Sequence, residues 1–302
     1  MKRSLVLAAS LLLCALCAGA PAFADEEAEV YRQIYVQSEG LSQKYAAAVN
    51  LVGLNDKSTA PVLAEGLQGL LSNQNNYRSP SDKELYAQTV RVISAALGSF
   101  RYSDAASLLW EVVQQVPEPL ARSEALMALG SMRALDYAER ISLLLRNLDI
   151  APTGDRDSDE KVAYGCIIAL QKLKDARGFA PVFYAADGWY SQRVRQLALS
   201  ALPNIAADPT DAIKEIIRTE GPDRKLLALR QNAVSQAAPE RKAEAALLAL
   251  SEGQNRVSRD RSEERTMAEL RKLALRSLVS FKSTGADAVS AERYSYENGY
   301  DD

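Results

Sequence analysis

Four acidic side chains lie close together in one short polar segment, and carboxylate oxygens are the ligands that calcium prefers. They are Asp155, Asp157, Asp159 and Glu160, and alternating acids of this kind can gather around a hard cation. An EF-hand loop has glycine at its sixth position and glutamate at its twelfth, where this chain has Glu160 and Cys166. The spacing therefore favours a solvated loop whose acids lie near the positive end of the following helix. A cation site remains the less favoured alternative.

The residue types on which most enzymes rely are scarce. The chain has no histidine, which removes the commonest general base and metal ligand and every Ser-His or Cys-His nucleophile pair. It also lacks a Gly-rich phosphate loop and a Gly-x-Ser-x-Gly elbow. We therefore expect no cofactor and favour a binding module without catalysis. The alternative is an enzyme or enzyme subunit with carboxylate-based or calcium-dependent chemistry.

The first 24 residues have the three parts of a secretory signal peptide. Lys2 and Arg3 precede an apolar run at 5–17, and Ala22-Phe23-Ala24, with small residues at its first and third positions, precedes an acidic stretch. We expect cleavage between Ala24 and Asp25, which gives a periplasmic or secreted protein. No later stretch approaches the roughly 20 uninterrupted apolar residues that a membrane span needs.

The three cysteines bear on how the protein is anchored. A lipoprotein attached through Cys14 or Cys17 is a minor alternative, because Leu13 and Leu16 stand where a small residue is normally needed. Cleavage would leave Cys166 alone, so we expect no intramolecular disulfide and a buried, inert thiol.

The charge balance argues against a nucleic-acid partner. The chain has 36 Lys and Arg against 39 Asp and Glu, a formal net charge of −3, and loss of Lys2 and Arg3 makes it more negative. Phosphate backbones require clustered basic residues. A protein or peptide partner in the cell envelope is the favoured expectation.

A helical hairpin is plainest at residues 118–150. One apolar stripe at helical spacing predicts a first helix, and a second stripe follows after a short link in which Asp136 is a plausible N-cap. The stripes are Ala121, Ala125, Ala128, Leu129 and Met132, then Ala138, Ile141, Leu144, Leu145 and Leu148. Together they predict a hairpin of about 32 residues.

The same unit recurs along the chain, marked by a small residue followed by an apolar one. The marker pairs are Ala96-Leu97, Ala128-Leu129, Ala169-Leu170, Ala201-Leu202, Ala233-Val234 and Ser277-Leu278. Insertions at 153–160 and 255–265 account for the two longer steps, and insertions that respect a period belong in loops.

Residues 121–130, Ala-Arg-Ser-Glu-Ala-Leu-Met-Ala-Leu-Gly, resemble the first helix of bacterial HEAT-like repeats of the phycobilisome-lyase type. Residues 194–202 match as well and 270–278 are close, whereas 162–170 lack the arginine. The resemblance covers roughly residues 81–280. It implies an all-α, right-handed α-α solenoid of six to seven hairpins that serves as a protein-binding scaffold, and the lyase part of the family name need not apply.

These patterns divide the chain into four parts. The signal peptide at 1–24 is followed by a helical cap or degenerate repeat at 25–80, a solenoid at 81–290 and a disordered acidic tail at 291–302. Within the cap, residues 28–52 read as one helix. Ser81 precedes the first turn of the next clear hairpin.

Three arginines share one place in the repeat. Arg122, Arg195 and Arg271 each lie seven residues before a marker. We expect each to reach a carbonyl or an acid of a neighbouring repeat, the alternative being a solvated surface charge.

The predicted binding surface follows from the register of the second helices. Positions 9, 12, 15, 16 and 19 after the marker are apolar and should face the core, so positions 13 and 14 are predicted to face outward on the concave side. The alternative is that neighbouring repeats or residues 28–71 cover them. Aromatic side chains on an outward face suggest an interface. The predicted ridge comprises Trp110, Glu111, Leu143, Arg146, Phe183, Tyr184, Lys214 and Arg218.

Overall fold

The structure, a computed structural model, describes residues 20–255 and 260–280; the side chains of 20–27 and 255 are not described. The predicted signal segment up to residue 19, with Cys14 and Cys17, and the predicted tail at 291–302 lie outside these residues. Every regular element within them is a helix, which confirms the all-α class. The predicted cleavage point between Ala24 and Asp25 falls within the first helix and stays a prediction.

Fourteen α-helices occupy the described part of the chain. They are α1 (Ala20–Gln37), α2 (Leu41–Gly53), α3 (Ala60–Ser72), α4 (Pro80–Phe100), α5 (Ala106–Gln115), α6 (Pro119–Met132), α7 (Ala138–Ile150), α8 (Arg156–Leu173), α9 (Phe179–Ala186), α10 (Gln192–Ile205), α11 (Thr210–Thr219), α12 (Pro222–Val234), α13 (Pro239–Asn255) and α14 (Arg261–Ser280).

Four of the connections share one backbone design. A non-glycine residue with positive φ follows the first helix, then a three-residue 3₁₀ helix leads into the second. The positive-φ residues are Asn55, Arg101, Arg133 and Lys174, and the 3₁₀ helices are Lys57–Thr59, Ser103–Ala105, Leu135–Tyr137 and Ala176–Gly178. Asp136 therefore lies inside a 3₁₀ helix rather than at an N-cap. Because Asn55 has the same turn, the segment predicted as a cap contains a hairpin of the same design.

Two compact units make up the chain, one ending at Met132 and the other beginning at Arg133. In the first unit, α2, α4 and α6 pack side by side as one layer, and α3 and α5 pack on each other as a second layer. Each of α3 and α5 also packs on the first helix of the next hairpin, while α1 packs on α2 and α3.

The second unit repeats the arrangement over eight helices. One layer consists of α8, α10, α12 and α14, and the other of α7, α9, α11 and α13, each helix packing on the next in its layer. Each helix of the second layer also packs on the following helix of the first, as α7 does on α8. This order is that of repeated helical hairpins.

The apolar markers lie in the core of each unit. Leu97 and Leu129 are fully buried in the first unit, and Leu170, Leu202 and Leu278 in the second. Val234 is instead 58% exposed, so the marker assigned to α12 is wrong. The buried marker pair of α12 is Ala228-Leu229. It lies nearer the N-terminus than the regular repeat period predicts.

Two helix boundaries also differ from the prediction. Residues 28–52 form two helices, because α1 ends at Gln37 and Gly40 is the N-cap of α2. The helix predicted to follow Ser81 begins earlier: the Ser79 hydroxyl accepts a hydrogen bond from the amide of Asp82, and Pro80 occupies the first helical position. Proline is favoured there because it needs no hydrogen-bond acceptor.

Two of the three repeat arginines make the predicted contact. Arg122 Nε donates to the carbonyl of Val113 at 2.8 Å, and an Arg271 guanidinium nitrogen donates to the carbonyl of Gly253 at 2.7 Å. Both acceptors lie in the preceding second helix. Arg195 is exposed, and no hydrogen bond or ion pair of its side chain is found among the described residues, as in the solvated alternative.

We expect Arg122→Ala to lower the free energy of unfolding by about 1 to 3 kcal/mol, because a half-buried carbonyl loses its donor and the helix junction loses packing. Arg195→Ala is the matched control. Because Arg195 is exposed, this substitution should change the free energy of unfolding by less than about 0.5 kcal/mol. Urea denaturation of both variants measures the difference. Equal effects at the two positions would contradict this assignment.

No helix in the described part of the chain is both long enough and apolar enough to cross a bilayer.

Candidate functional site

Positions 13 and 14 after the marker were both predicted to face outward, but in the second helices α5 and α7 only position 14 is exposed. At position 14 after the marker, Glu111 and Leu143 are exposed. At position 13, Ser142 is buried and Trp110 is half-buried. The reason is helical geometry: position 13 follows core position 9 by four residues and precedes core position 16 by three, so it lies on the same face.

Phe183 is the clearest correction to the predicted ridge. Its side chain is fully buried, with its ring centroid 6.4 Å from that of Phe179 and 5.8 Å from that of Tyr184. Helix α9 is short and apolar almost all round, and such a helix is covered on every side. Phe183 therefore cannot be an interface anchor in this fold.

Tyr184 is half-buried and already engaged within the second unit. Its hydroxyl donates to Glu220 Oε1 at 2.9 Å, and the Arg224 guanidinium lies 5.3 Å from its ring centroid. Arg224 also binds Asp187 at 2.9 Å and Glu220 at 3.0 Å. Burial, followed by the bond to Glu220, raises the pKa of Tyr184 to about 12. The cluster ties α9 to α12.

Lys214 belongs to a second network that joins neighbouring helices of one layer. Its ammonium lies 2.9 Å from Glu244 of α13, and Arg241 binds the same carboxylate at 2.7 Å. Arg241 also reaches Asp208 and Asp211, each at 2.9 Å. These links are partly exposed, so each is worth little singly, and together they orient α11 against α13.

The remaining predicted residues of the second unit are exposed. Leu143, at 55% exposure, and Arg146 lie on α7. Arg218 lies on α11 and forms a long ion pair of 3.8 Å with Glu215. These three side chains are exposed, and their contact with a partner stays a prediction.

A groove runs between the second helices α3 and α5 of the first unit. It has a cavity volume of about 250 Å³ and contains the predicted residue Glu111. Glu65 and Asp104 also line it, as does the half-buried Leu108, and no lysine or arginine is among its lining residues. The groove thus offers carboxylates around a small apolar floor.

The acidic segment of the second unit was predicted to be a solvated loop, which is wrong: Asp155 is the N-cap of α8, and Asp157, Asp159 and Glu160 lie in its first turns. Asp155 caps α8 by accepting from the amide and hydroxyl of Ser158, and these bonds lower the pKa of Asp155. The buried Asp159 accepts from the amide and hydroxyl of Thr153. Asp157 pairs with Lys161.

Glu160 points to yet another partner, the amide of Ser191. The four acids therefore bind different groups instead of converging. No group of three or more Cys, Asp or Glu able to hold a metal ion occurs among the residues that the structure describes.

A half-buried acid, Asp149, which the sequence pattern did not mark, lies close to this segment in the chain. Tyr190 donates to Asp149 Oδ1 at 2.8 Å, and the other carboxylate oxygen is buried with no partner in the described chain. Trp189 stacks on Tyr190 with centroids 4.2 Å apart and donates to the carbonyl of Leu148 at 3.1 Å. Burial raises the pKa of Asp149 to about 7, despite the opposing bond from Tyr190.

Cys166 is a fully buried free thiol, as predicted. Asp149 and Tyr190 are 41 residues apart in sequence, and nothing in the local pattern of either residue marks the pair. With a pKa of about 7, the carboxyl group of Asp149 loses its proton near neutral pH.

Comparison with known proteins leaves the family of the chain open. No protein-family model matches this chain. No curated protein matches it either.

Proposed function

We propose that the chain is an exported HEAT-like helical-repeat scaffold that binds a protein or peptide partner and performs no chemistry of its own. Within each unit, repeated hairpins arranged in two layers support this, because such an arrangement presents neighbouring second-helix faces to a partner. The proposed site of export is the periplasm or the cell exterior, as the signal-like first 24 residues suggest.

The observation that carries the proposal is the groove between α3 and α5. It lies on the layer of second helices, where the register predicted binding, and it includes Glu111. Its charged lining residues Glu65, Asp104 and Glu111 are all acidic, so the complementary occupant is a positively charged segment of the partner. Electrostatic complementarity of this kind directs association and selects partners.

Site-specific photo-crosslinking in the producing cells tests this proposal. A photoreactive amino acid replaces Ser107, which is exposed and lines the groove. The matched position is Ser42, an exposed serine of the same unit outside the groove. We expect an adduct from position 107 alone, and its captured segment should be rich in lysine and arginine.

Charge reversal provides the second arm. Glu65→Lys with Glu111→Lys should abolish that adduct, because like charges would then face each other. Glu39→Lys with Glu240→Lys makes the same change in net charge at exposed positions elsewhere and should leave it intact. An adduct that survives reversal in the groove, or one seen equally from position 42, would refute the proposal.

A further inference from the structure

A larger cavity lies elsewhere in the first unit. It has a volume of about 680 Å³ and is bounded by the 3₁₀ turn at Gln74–Asn76, the first turns of α4 and the link between α5 and α6. This size falls within the range of small-ligand pockets, about 300 to 1,000 Å³. None of the predicted ridge residues lines it.

Two tyrosines form the aromatic part of its wall. The ring centroids of Tyr77 and Tyr86 are 5.3 Å apart at an interplanar angle of 31°. Tyr77 is half-buried, whereas Tyr86 is 5% exposed. The Tyr86 hydroxyl is buried, and no group in the described chain pairs with it. A buried polar atom of this kind normally has a partner.

The rest of the wall combines apolar residues with polar side chains of both charges. Gln74 and Gln115 bring amide groups that both donate and accept, and Lys83 brings an ammonium. No hydrogen bond of these three side chains is found within the described residues. The wall therefore offers a ligand both hydrogen-bond donors and hydrogen-bond acceptors.

The two carboxylates of the wall are partly used. Both oxygens of Glu118 accept backbone amides at the start of α6, from Leu120 at 3.0 Å and Ala121 at 2.6 Å. One oxygen of Glu84 accepts a hydrogen bond from Gln88 at 2.7 Å. The other oxygen accepts none from the described residues. With one ammonium facing two carboxylates, the cavity does not select an anion.

We propose that this cavity binds a saccharide, whose C–H face packs against Tyr77 while its hydroxyls bond to Lys83, the Gln amides and the Tyr86 hydroxyl. A sugar hydroxyl both donates and accepts, so it matches a wall that offers both kinds of group and has no excess of positive charge to favour an anion. This function is separate from the acidic groove between α3 and α5, since the two sites share no lining residue.

The test is binding of three neutral disaccharides, cellobiose, maltose and N,N′-diacetylchitobiose, to the full chain by saturation-transfer NMR and calorimetry, with citrate as an anionic comparison. We expect at least one disaccharide to bind. Tyr77→Ala should abolish that binding, whereas Tyr102→Ala, a half-buried tyrosine of the same unit that does not line the cavity, should leave it unchanged.

Tyr86→Phe separates binding from folding. The variant loses only a hydroxyl that lacks a partner, so its melting temperature should be unchanged or higher. Binding should weaken about three- to tenfold, as expected for one lost hydrogen bond. The proposal is overturned if no disaccharide binds, if citrate binds more tightly than all three, or if Tyr86→Phe binds as the wild type does.

Discussion

Gly98→Val is expected to destabilise the first unit by about 3 kcal/mol. A Cβ atom at residue 98 would lie 2.7 Å from both Cα and Cβ of Ala128. The first of these is a backbone atom and cannot rotate away, so α4 and α6 would have to separate. Close-packed interiors tolerate such insertions poorly.

The control for this substitution is another glycine of the same unit. A Cβ added at Gly69 in α3 meets no atom within 4 Å, so Gly69→Ala should stabilise by about 0.5 to 1 kcal/mol through its effect on helix propensity. Urea denaturation followed by Trp110 fluorescence, in a Trp189→Phe background, reports on the first unit alone. If Gly98→Val unfolded at the wild-type urea concentration, the close approach of α4 and α6 would be wrong.

Asp149→Asn is expected to stabilise the second unit at pH 8 by about 2 to 4 kcal/mol and to have little effect at pH 4. The pKa of Asp149 is raised to about 7 in the folded chain, against about 3.9 when unfolded. Between these values the native state keeps a proton that the unfolded state has lost. Stability of the wild type should therefore fall as pH rises from about 4 to about 7, then level off.

Asparagine preserves the acceptor for Tyr190 and cannot ionise, so this part of the pH dependence should vanish in the variant. The chain contains no histidine, hence few other groups change charge close to neutral pH. Urea denaturation across pH 4 to 8, followed by Trp189 fluorescence in a Trp110→Phe background, measures the difference. Asp136→Asn, at an exposed acid of the same unit, is the control, and identical pH profiles for the two variants would disprove the role of Asp149.

Helical periodicity predicted much of the fold. The stripes of 118–150 correspond to α6 and α7, and Leu97, Leu129 and Leu170 are buried as their register predicted. These features are local: an apolar stripe at 3.6-residue spacing must be covered wherever its helix packs. Export, the HEAT resemblance and the protein partner stay predictions.

Side-chain environments at the candidate sites depended on neighbours distant in sequence. The outward position given to Phe183 was wrong because α9 is covered on all sides, which its own spacing does not reveal. Tyr184 lies where predicted on its helix, yet its hydroxyl is held by Glu220, 36 residues away. Side-chain spacing within one helix specifies a face, whereas the use of that face is decided by what the next helices bring to it.

The helical class, the hairpin unit and most of its core positions could be predicted from the sequence, because each follows from composition and periodicity over a few turns. Only the tertiary structure brought Asp149 to Tyr190, opened the acidic groove between α3 and α5, and placed Tyr77 and Tyr86 on one cavity wall. These sites are formed where separate elements meet. Their geometry arises from packing between helices distant in sequence, which a local pattern of residues does not specify.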